Sequence, residues 1–127
     1  MAFSPDGRQL AVAMGQHFDK GKGTSTGHVK LWDSATWRVL HDLRGHSGCV
    51  WSVAFNASGT RLASGGGYFQ GSSGQAKVWD VITGMELLTL ADDKDSVYCV
   101  AFTADARRLA TANRDGLIRI REVGPCF

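Results

Sequence analysis

Three short patterns recur in the same order along this 127-residue chain, and the repetition limits the fold more than any other feature. The patterns are AFSPDG, AFNASG and AFTADA from Ala2, Ala54 and Ala101; LAVAMG, LASGGG and LATANR from Leu10, Leu62 and Leu109; and VKLWD, AKVWD and IRIRE from Val29, Ala76 and Ile118. The first two sets are separated by 52 and 47 residues and the third by 47 and 42. Chance similarity does not keep phase in this way, so we predict three copies of one structural unit.

Each copy is predicted to form four β-strands. In the middle copy, apolar and polar residues alternate near 50–55, 61–65, 76–80 and 85–90, with turns between these segments. Alternation with a period of two is typical of strands, and the 16 glycines argue against long helices. Gly59 in NASG, like Gly7 in SPDG, is expected to adopt a positive φ in a hairpin turn. The fold class predicted is all-β.

The units resemble repeats of the WD-repeat (Trp-Asp) β-propeller family. The residues that carry the resemblance are RGH at 44–46, VWSVAF at 50–55, LASG at 62–65 and KVWD at 77–80. The resemblance covers essentially the whole chain and implies propeller blades of four antiparallel strands. We expect blade one at 1–43, blade two at 44–90 and blade three at 91–127, the last lacking its outer strand.

The resemblance also implies a hydrogen-bond network inside each blade, which joins the Trp to a Ser or Thr, a His and an Asp. A buried indole N–H needs an acceptor, which gives the network a physical reason. Carried over by position, the expected members are His46, Ser64 and Trp79 in blade two, Trp32 in blade one, and Thr111 and Asp115 in blade three. Blade one has Val12 at the serine position, and blade two has no Asp in its connection.

Blade three departs further from the pattern, because Asp93 occupies the His position and Arg121 the Trp position. The two side chains either pair, as an ionic substitute for the network, or are each solvated. Exposed ion pairs contribute little to stability, which favours the second alternative.

Propellers close with about 4–8 blades, and fewer than three are present here. Three interpretations stay open. The chain is a piece of a longer propeller protein, or two copies close a six-bladed ring, or the array stays open and docks on another chain. The expected partners are therefore other proteins, including further blades from a longer parent chain or a second copy.

A partner-binding rim is expected where two long connections follow the second strands of blades one and two. Long loops on a rigid sheet tend to carry function, and aromatic residues beside polar ones suit protein contacts. Phe18 and Phe69 have the alternative role of covering the blade tops. Trp51 and Tyr98 occupy equivalent positions, and either line the central opening or pack between blades. The residues of the expected rim are His17, Phe18, Lys20, Lys22, Tyr68, Phe69, Gln70, Trp51 and Tyr98.

Charge and cysteine content exclude several classes of function. The net charge of +2 disfavours partners such as nucleic acid or an anionic membrane. The three cysteines, Cys49, Cys99 and Cys126, have no CxxC spacing, which argues against a disulfide framework and a zinc site. Free cysteines fit a reducing cytoplasm, which is the location we expect.

No motif points to catalysis, a metal or a cofactor. GKGTSTG at 21–27 lacks the spacing of a phosphate-binding loop, and the four histidines have no ligand spacing. Asp92, Asp93 and Asp95 form the acidic cluster, which we expect in a solvated loop between blades. We predict a non-catalytic protein–protein interaction scaffold. The alternative is a propeller-based hydrolase with convergent carboxylates at the central opening.

Overall fold

The structure, a computed structural model, describes residues 1–14, 27–44, 46, 49–67, 74–93, 97–105, 107–113 and 116–123, and only the backbone of 91–93. The regular structure in these ranges consists entirely of strands, which confirms the all-β class. Blade one is a four-stranded sheet in the order β1-β2-β3-β4. Its strands are β1 (Ala2–Phe3), β2 (Gln9–Met14), β3 (His28–Asp33) and β4 (Val39–Arg44).

Blades two and three repeat this antiparallel order. Blade two contains β5 (Cys49–Phe55), β6 (Arg61–Gly67), β7 (Gly74–Asp80) and β8 (Glu86–Asp93). Blade three contains β9 (Val97–Phe102), β10 (Arg108–Asn113) and β11 (Ile118–Glu122), and its sheet has three strands within the described residues.

The outer strand of blade two is longer than the sequence indicates. We expected it to end at Leu90, but a register shift between Gly74 and Ala76 allows Gly74 to pair with Asp93. The backbone of Asp92 and Asp93 therefore belongs to β8, which corrects the expectation of a loop there. Asp95 lies outside the described residues.

The turns between first and second strands use glycine as expected. Gly7 and Gly59 have φ values of 72° and 74°, and their N–H groups donate to the carbonyls of Ser4 and Asn56. A left-handed residue is costly for any side chain with a Cβ, so glycine fits here.

Trp37 occupies a backbone conformation that blade two gives to glycine. Its φ is 57°, and Gly84, which lies 47 residues later, has a φ of 74°. In both blades this residue donates its backbone N–H to the backbone carbonyl of the Asp that follows the motif Trp. Trp37 donates to Asp33, and Gly84 donates to Asp80. The indole of Trp37 is exposed, so packing offsets little of the strain, which is about 1–2 kcal/mol for an L-residue.

The core consists of two clusters, one on each face of blade two. Val53, Leu62 and Trp79 of blade two pack with Ala11, Val29, Leu31 and Leu43 of blade one. Ala63, Ala76 and Val78 on the opposite face pack with Val97, Val100 and Leu109 of blade three. The blades therefore stack face to face.

Gly65 allows blade three to approach blade two. A Cβ built at this position would lie 2.6 Å from Cγ1 of Val97 and 2.8 Å from Cγ1 of Val100. Contacts this short are repulsive, so a larger residue would force the two blades apart.

The two outward faces of the stack differ in composition. The register of blade one aligns Phe3, Leu10, Trp32 and Val39 in one row across its sheet, and Phe3 and Val39 are exposed. The outward face of blade three carries small and aliphatic residues, Cys99, Ala101, Ala110, Ala112, Ile118 and Ile120. Ile118 and Ile120 are 72% and 64% exposed.

Candidate functional site

Trp79, Ser64 and His46 form one buried hydrogen-bonded group in blade two. The indole N–H of Trp79 donates to Oγ of Ser64 over 2.8 Å, and a bond of 2.6 Å joins the same Oγ to Nε2 of His46. Ser64 is placed opposite Lys77 by the pairing of β6 with β7, while His46 comes from the segment before β5. The group therefore links the blade interior to the segment that enters its first strand.

Lys77, Glu86 and Thr89 form an adjoining polar group that the sequence motifs do not indicate. The ammonium of Lys77 donates to Oε1 of Glu86 over 2.5 Å and to Oγ1 of Thr89 over 3.1 Å. The Thr89 hydroxyl also donates to Glu86. The Lys77 side chain is only 6% exposed, so these partners satisfy a buried charge. The sequence contains one signal for this group. Lys77 precedes Trp79 by two positions on one strand, so the two side chains lie on the same face of the sheet.

Burial, together with the positive charge of Lys77, lowers the pKa of His46 from 6.5 to about 4, while the negative charge of Glu86 opposes this shift. His46 is therefore neutral at pH 7. Burial raises the pKa of Glu86, but the hydrogen bonds from Lys77 and Thr89 outweigh it and hold that pKa below its ordinary value.

Within the described residues, blades one and three do not repeat the hydrogen-bonded group of blade two. Trp32 is half-buried, and Nζ of Lys30 lies 6.0 Å from its ring centroid. Thr111 is fully buried, and its hydroxyl has no hydrogen-bond partner among the described residues. Asp115 and the side chain of Asp93 lie outside the description, so the pairing of Asp93 with Arg121 stays a prediction.

Ser64→Ala is expected to destabilise the chain, whereas Thr111→Val is not. Ser64→Ala removes the acceptor of the buried Trp79 N–H and should cost about 1–3 kcal/mol. Thr111→Val removes a buried hydroxyl without a partner in the described structure and should be neutral or stabilising by about 1 kcal/mol. Urea unfolding of the two variants and the parent chain measures both effects, and a loss of similar size in both variants would contradict the contrast.

The Asp of the Trp-Asp pair stabilises the turn that follows it. Oδ1 of Asp33 accepts hydrogen bonds from the N–H groups of Ala35 and Thr36, at 2.8 and 3.1 Å. Oδ1 of Asp80 accepts from Ile82 and Thr83, at 2.9 and 3.2 Å. These backbone hydrogen bonds lower the pKa of both carboxyl groups. In blade three Glu122 takes this position and instead lies 3.8 Å from Nη2 of Arg108.

Trp51 and Tyr98 contact each other across the junction of blades two and three. Their ring centroids are 5.8 Å apart, and the rings meet edge to face at 72°. The Trp51 indole donates to the carbonyl of Gly67, and the neighbouring Ser52 hydroxyl accepts the N–H of Val100. Tyr98 is 42% exposed. The pair thus contributes to the packing between blades and also presents aromatic surface to solvent.

The remaining residues of the expected rim fall outside the described part of the chain. They are His17, Phe18, Lys20, Lys22, Tyr68, Phe69 and Gln70. The pairing of Cys49 with Gly67 puts the start of β5 at the end of blade two from which 68–73 continue. Trp51 therefore lies at the end of blade two where Gly67 ends β6.

The carboxylates of the described residues have structural partners, and no group of three or more His, Cys, Asp and Glu side chains among them is placed to hold a metal. A cavity of about 420 Å³ lies beside the turn between β9 and β10. Asp105 at this cavity accepts from the Thr103 hydroxyl and the Arg107 N–H, which stabilise its turn. No helix in the described residues is long and apolar enough to cross a membrane.

Residues 37–80 and 84–121 match the profile of the family described as WD domain, G-beta repeat. The chain belongs to this family. The match includes the Trp79–Ser64–His46 group and most of blade three, so the WD-repeat interpretation made from the sequence is confirmed.

Two curated relatives that are similar to a part of the chain are both named Intraflagellar transport protein 122 homolog. The relative from Danio rerio is 37% identical over 65 residues, and the relative from Xenopus tropicalis is 35% identical over 65 residues. Each match covers 51% of this chain and 4% of the relative. The chain thus corresponds to a small part of these proteins.

A solved structure reproduces the fold of nearly the whole chain. It is the β-propeller domain of Myceliophteria thermophila Cps50 (Swd1), with a TM-score of 0.74 and 24% sequence identity. The match covers 96% of this chain and 34% of that one. This likeness supports the fold, a partial β-propeller of stacked antiparallel blades.

Proposed function

We propose that the chain is part of a non-catalytic protein–protein interaction scaffold of the WD-repeat type, and that it binds partners at the rim beside Trp51 and Tyr98. The observation that carries the proposal is the edge-to-face pair itself, at 5.8 Å, with Tyr98 partly exposed. Aromatic side chains held in place lose little conformational entropy on binding and are enriched at the centres of interfaces. WD-repeat membership supports a binding role over a catalytic one.

The apolar outward faces support further blades as neighbours of this array, from a longer parent chain or a second copy. Exposed Phe3 on blade one and Ile118 and Ile120 on blade three leave apolar surface in water, which favours association. We propose the cytoplasm as the location, because Cys49 and Cys99 form no disulfide within the described part of the chain, which suits a reducing compartment.

Tyr98→Ala tests the rim with little risk to the fold, because the side chain is partly exposed. The chain and the variant are each immobilised and exposed to an extract of the source cells, and the retained proteins are quantified by mass spectrometry. We expect a defined set of proteins to fall about tenfold or more with Tyr98→Ala, since aromatic anchors at interfaces contribute about 2 kcal/mol or more.

Ile82→Ser is the matched control. Ile82 is 77% exposed and lies in the turn before β8, away from the rim. It should retain the same proteins as the parent chain. Equal retention by all three proteins, with intact folds by circular dichroism, would reject the rim as the binding site.

A further inference from the structure

The first strand of blade two is divided by a bulge at Trp51. Val50 and Ser52 pair with consecutive residues of β6, so Trp51 is the extra residue between two pairs of the ladder. Cys49 and Val50 form a short part of β5 before the bulge, and the four residues from Ser52 form the longer part after it. Because a bulge interrupts the ladder, the short part is able to separate from β6 while the longer part stays paired.

Contacts at both ends of the short part hold it in place. His46, three residues before β5, is joined to Ser64 of β6 by the bond of 2.6 Å. Trp51, at the other end, donates its indole N–H to the carbonyl of Gly67 over 3.3 Å and contacts the ring of Tyr98. The buried histidine and the exposed aromatic pair therefore fix opposite ends of the same few residues.

The directions of the hydrogen bonds require a neutral His46 ring. An indole N–H donates and never accepts, so Ser64 accepts from Trp79 and directs its own hydroxyl proton to Nε2 of His46. Protonation turns Nε2 into a donor and leaves the Ser64 hydroxyl proton without this acceptor. It also places a positive charge in a buried site, which is costly.

The charged groups around the ring do not offset this cost. In the described part of the chain, Lys77 on β7 repels a protonated His46, whereas Glu86 on β8 attracts it. Glu86 already accepts a hydrogen bond from Lys77, and Ser64 and Trp79 contribute no charge. The ring therefore takes up a proton most readily when it leaves the site for water.

We propose that His46 is a pH-sensitive anchor of the rim, and that its protonation releases the short part of β5 and separates Trp51 from Tyr98. Neutral solution keeps the aromatic pair ordered, and acidic solution opens it. The consequence for partner binding rests on the proposed function of the rim. The change in order does not, because it takes place in the free chain.

The pKa of His46 sets the size of the effect. It is about 4 in the closed site and ordinarily 6.5, so the ratio of open to closed molecules rises by up to about tenfold per pH unit between these values. This ratio is about 20-fold higher at pH 5 than at pH 7, and its greatest rise below pH 7 is about 200-fold. Acid therefore opens half of the molecules only if about 1 in 200 or more is already open at pH 7.

Hydrogen exchange of the Trp51 indole N–H, followed by NMR in the free chain, measures this opening. After correction for intrinsic exchange rates, we expect an open fraction above about 1 in 200 at pH 7 and an open-to-closed ratio about 20-fold higher at pH 5. The paired and buried backbone amides of Ala63 and Val78 report global unfolding and should exchange far more slowly. Dilute urea should accelerate exchange of these amides but not of the indole, because a local opening exposes little surface.

His46→Gln is the matched control, because glutamine keeps a hydrogen-bonding group but does not titrate. Its corrected Trp51 exchange should be the same at pH 7 and pH 5. Titration of the His46 ring signals in the parent chain gives a second measurement that does not depend on the variant, and the closed ring should stay neutral at pH 5.

Four results would overturn the proposal. They are an open fraction well below 1 in 200 at pH 7, an indole exchange with the same rate and urea sensitivity as the amides of Ala63 and Val78, a corrected exchange of the parent chain that does not change with pH, and a closed His46 ring that is protonated at pH 5. Since no partner enters this experiment, its failure is distinguishable from a failure of the rim as a binding site.

Discussion

Trp79→Ala should destabilise the chain by about 3–5 kcal/mol, which is the usual cost of removing a fully buried large aromatic side chain. Trp79 is 2% exposed, and its ring belongs to the cluster that joins blades one and two. The substitution also removes the donor to Ser64. Since domains of this size are stable by only about 5–15 kcal/mol, a large part of the folded population would be lost at 37 °C. Urea unfolding followed by circular dichroism measures the change.

Trp37→Gly is the control for this variant. Trp37 is 56% exposed, and the matching position of blade two already holds Gly84 with a positive φ. The substitution should leave stability within about 0.5 kcal/mol or raise it, because relief of backbone strain offsets the lost contacts. Equal shifts of the unfolding midpoint in Trp79→Ala and Trp37→Gly would contradict the prediction. They would show that burial of the Trp79 side chain does not account for its contribution to the free energy of unfolding.

Stability is expected to fall by about 3 kcal/mol as the pH decreases from 7 to 4, because His46 is buried in its neutral form. Its pKa is about 4 in the folded chain and ordinarily 6.5, so the unfolded chain binds more protons in this interval. The stabilisation contributed by the neutral His46 ring is fully present above pH 7 and is lost progressively as the pH falls toward 4. Urea midpoints at half-unit pH steps measure the slope.

Titration of the carboxylates does not account for a loss of stability above pH 5. Asp33, Asp80 and Glu86 have lowered pKa values, so their stabilising contribution is present above their ordinary pKa and lost only as the pH falls through the folded value. His46→Gln should therefore flatten the profile between pH 7 and 5. A profile of equal slope in His46→Gln would assign the effect to another group.

The repeated patterns predicted the strands, and they predicted which residues meet in the hydrogen-bonded group of blade two, because they encode local requirements. Period-two alternation specifies the faces of β5 and β7, and a Trp with an indole N–H requires an acceptor such as Ser64. The phase of the repeats placed these residues in equivalent positions, and the hydrogen bonds of His46, Ser64 and Trp79 follow that placement.

Other features depend on the pairing register between strands, which the sequence patterns do not specify. Lys77 finds Glu86 only because a bulge between Val78 and Trp79 shifts the pairing with β8. The extension of β8 to Asp93 depends on a second bulge near Gly74. Insertions of this kind leave no regular spacing, so periodicity misses them.

The unlike outward faces give the stack a direction. The face of blade one carries Phe3, Leu10 and Trp32, and the face of blade three carries alanines and isoleucines, so the two faces are not interchangeable. A contact that joins blade three of one copy to blade one of another is head-to-tail, and such contacts generate a closed ring, which is two-fold symmetric when it contains two copies, or an open filament. A substitution that enlarges the apolar surface of blade three, for example Ala101→Leu, would therefore be expected to favour rings or filaments built from this contact.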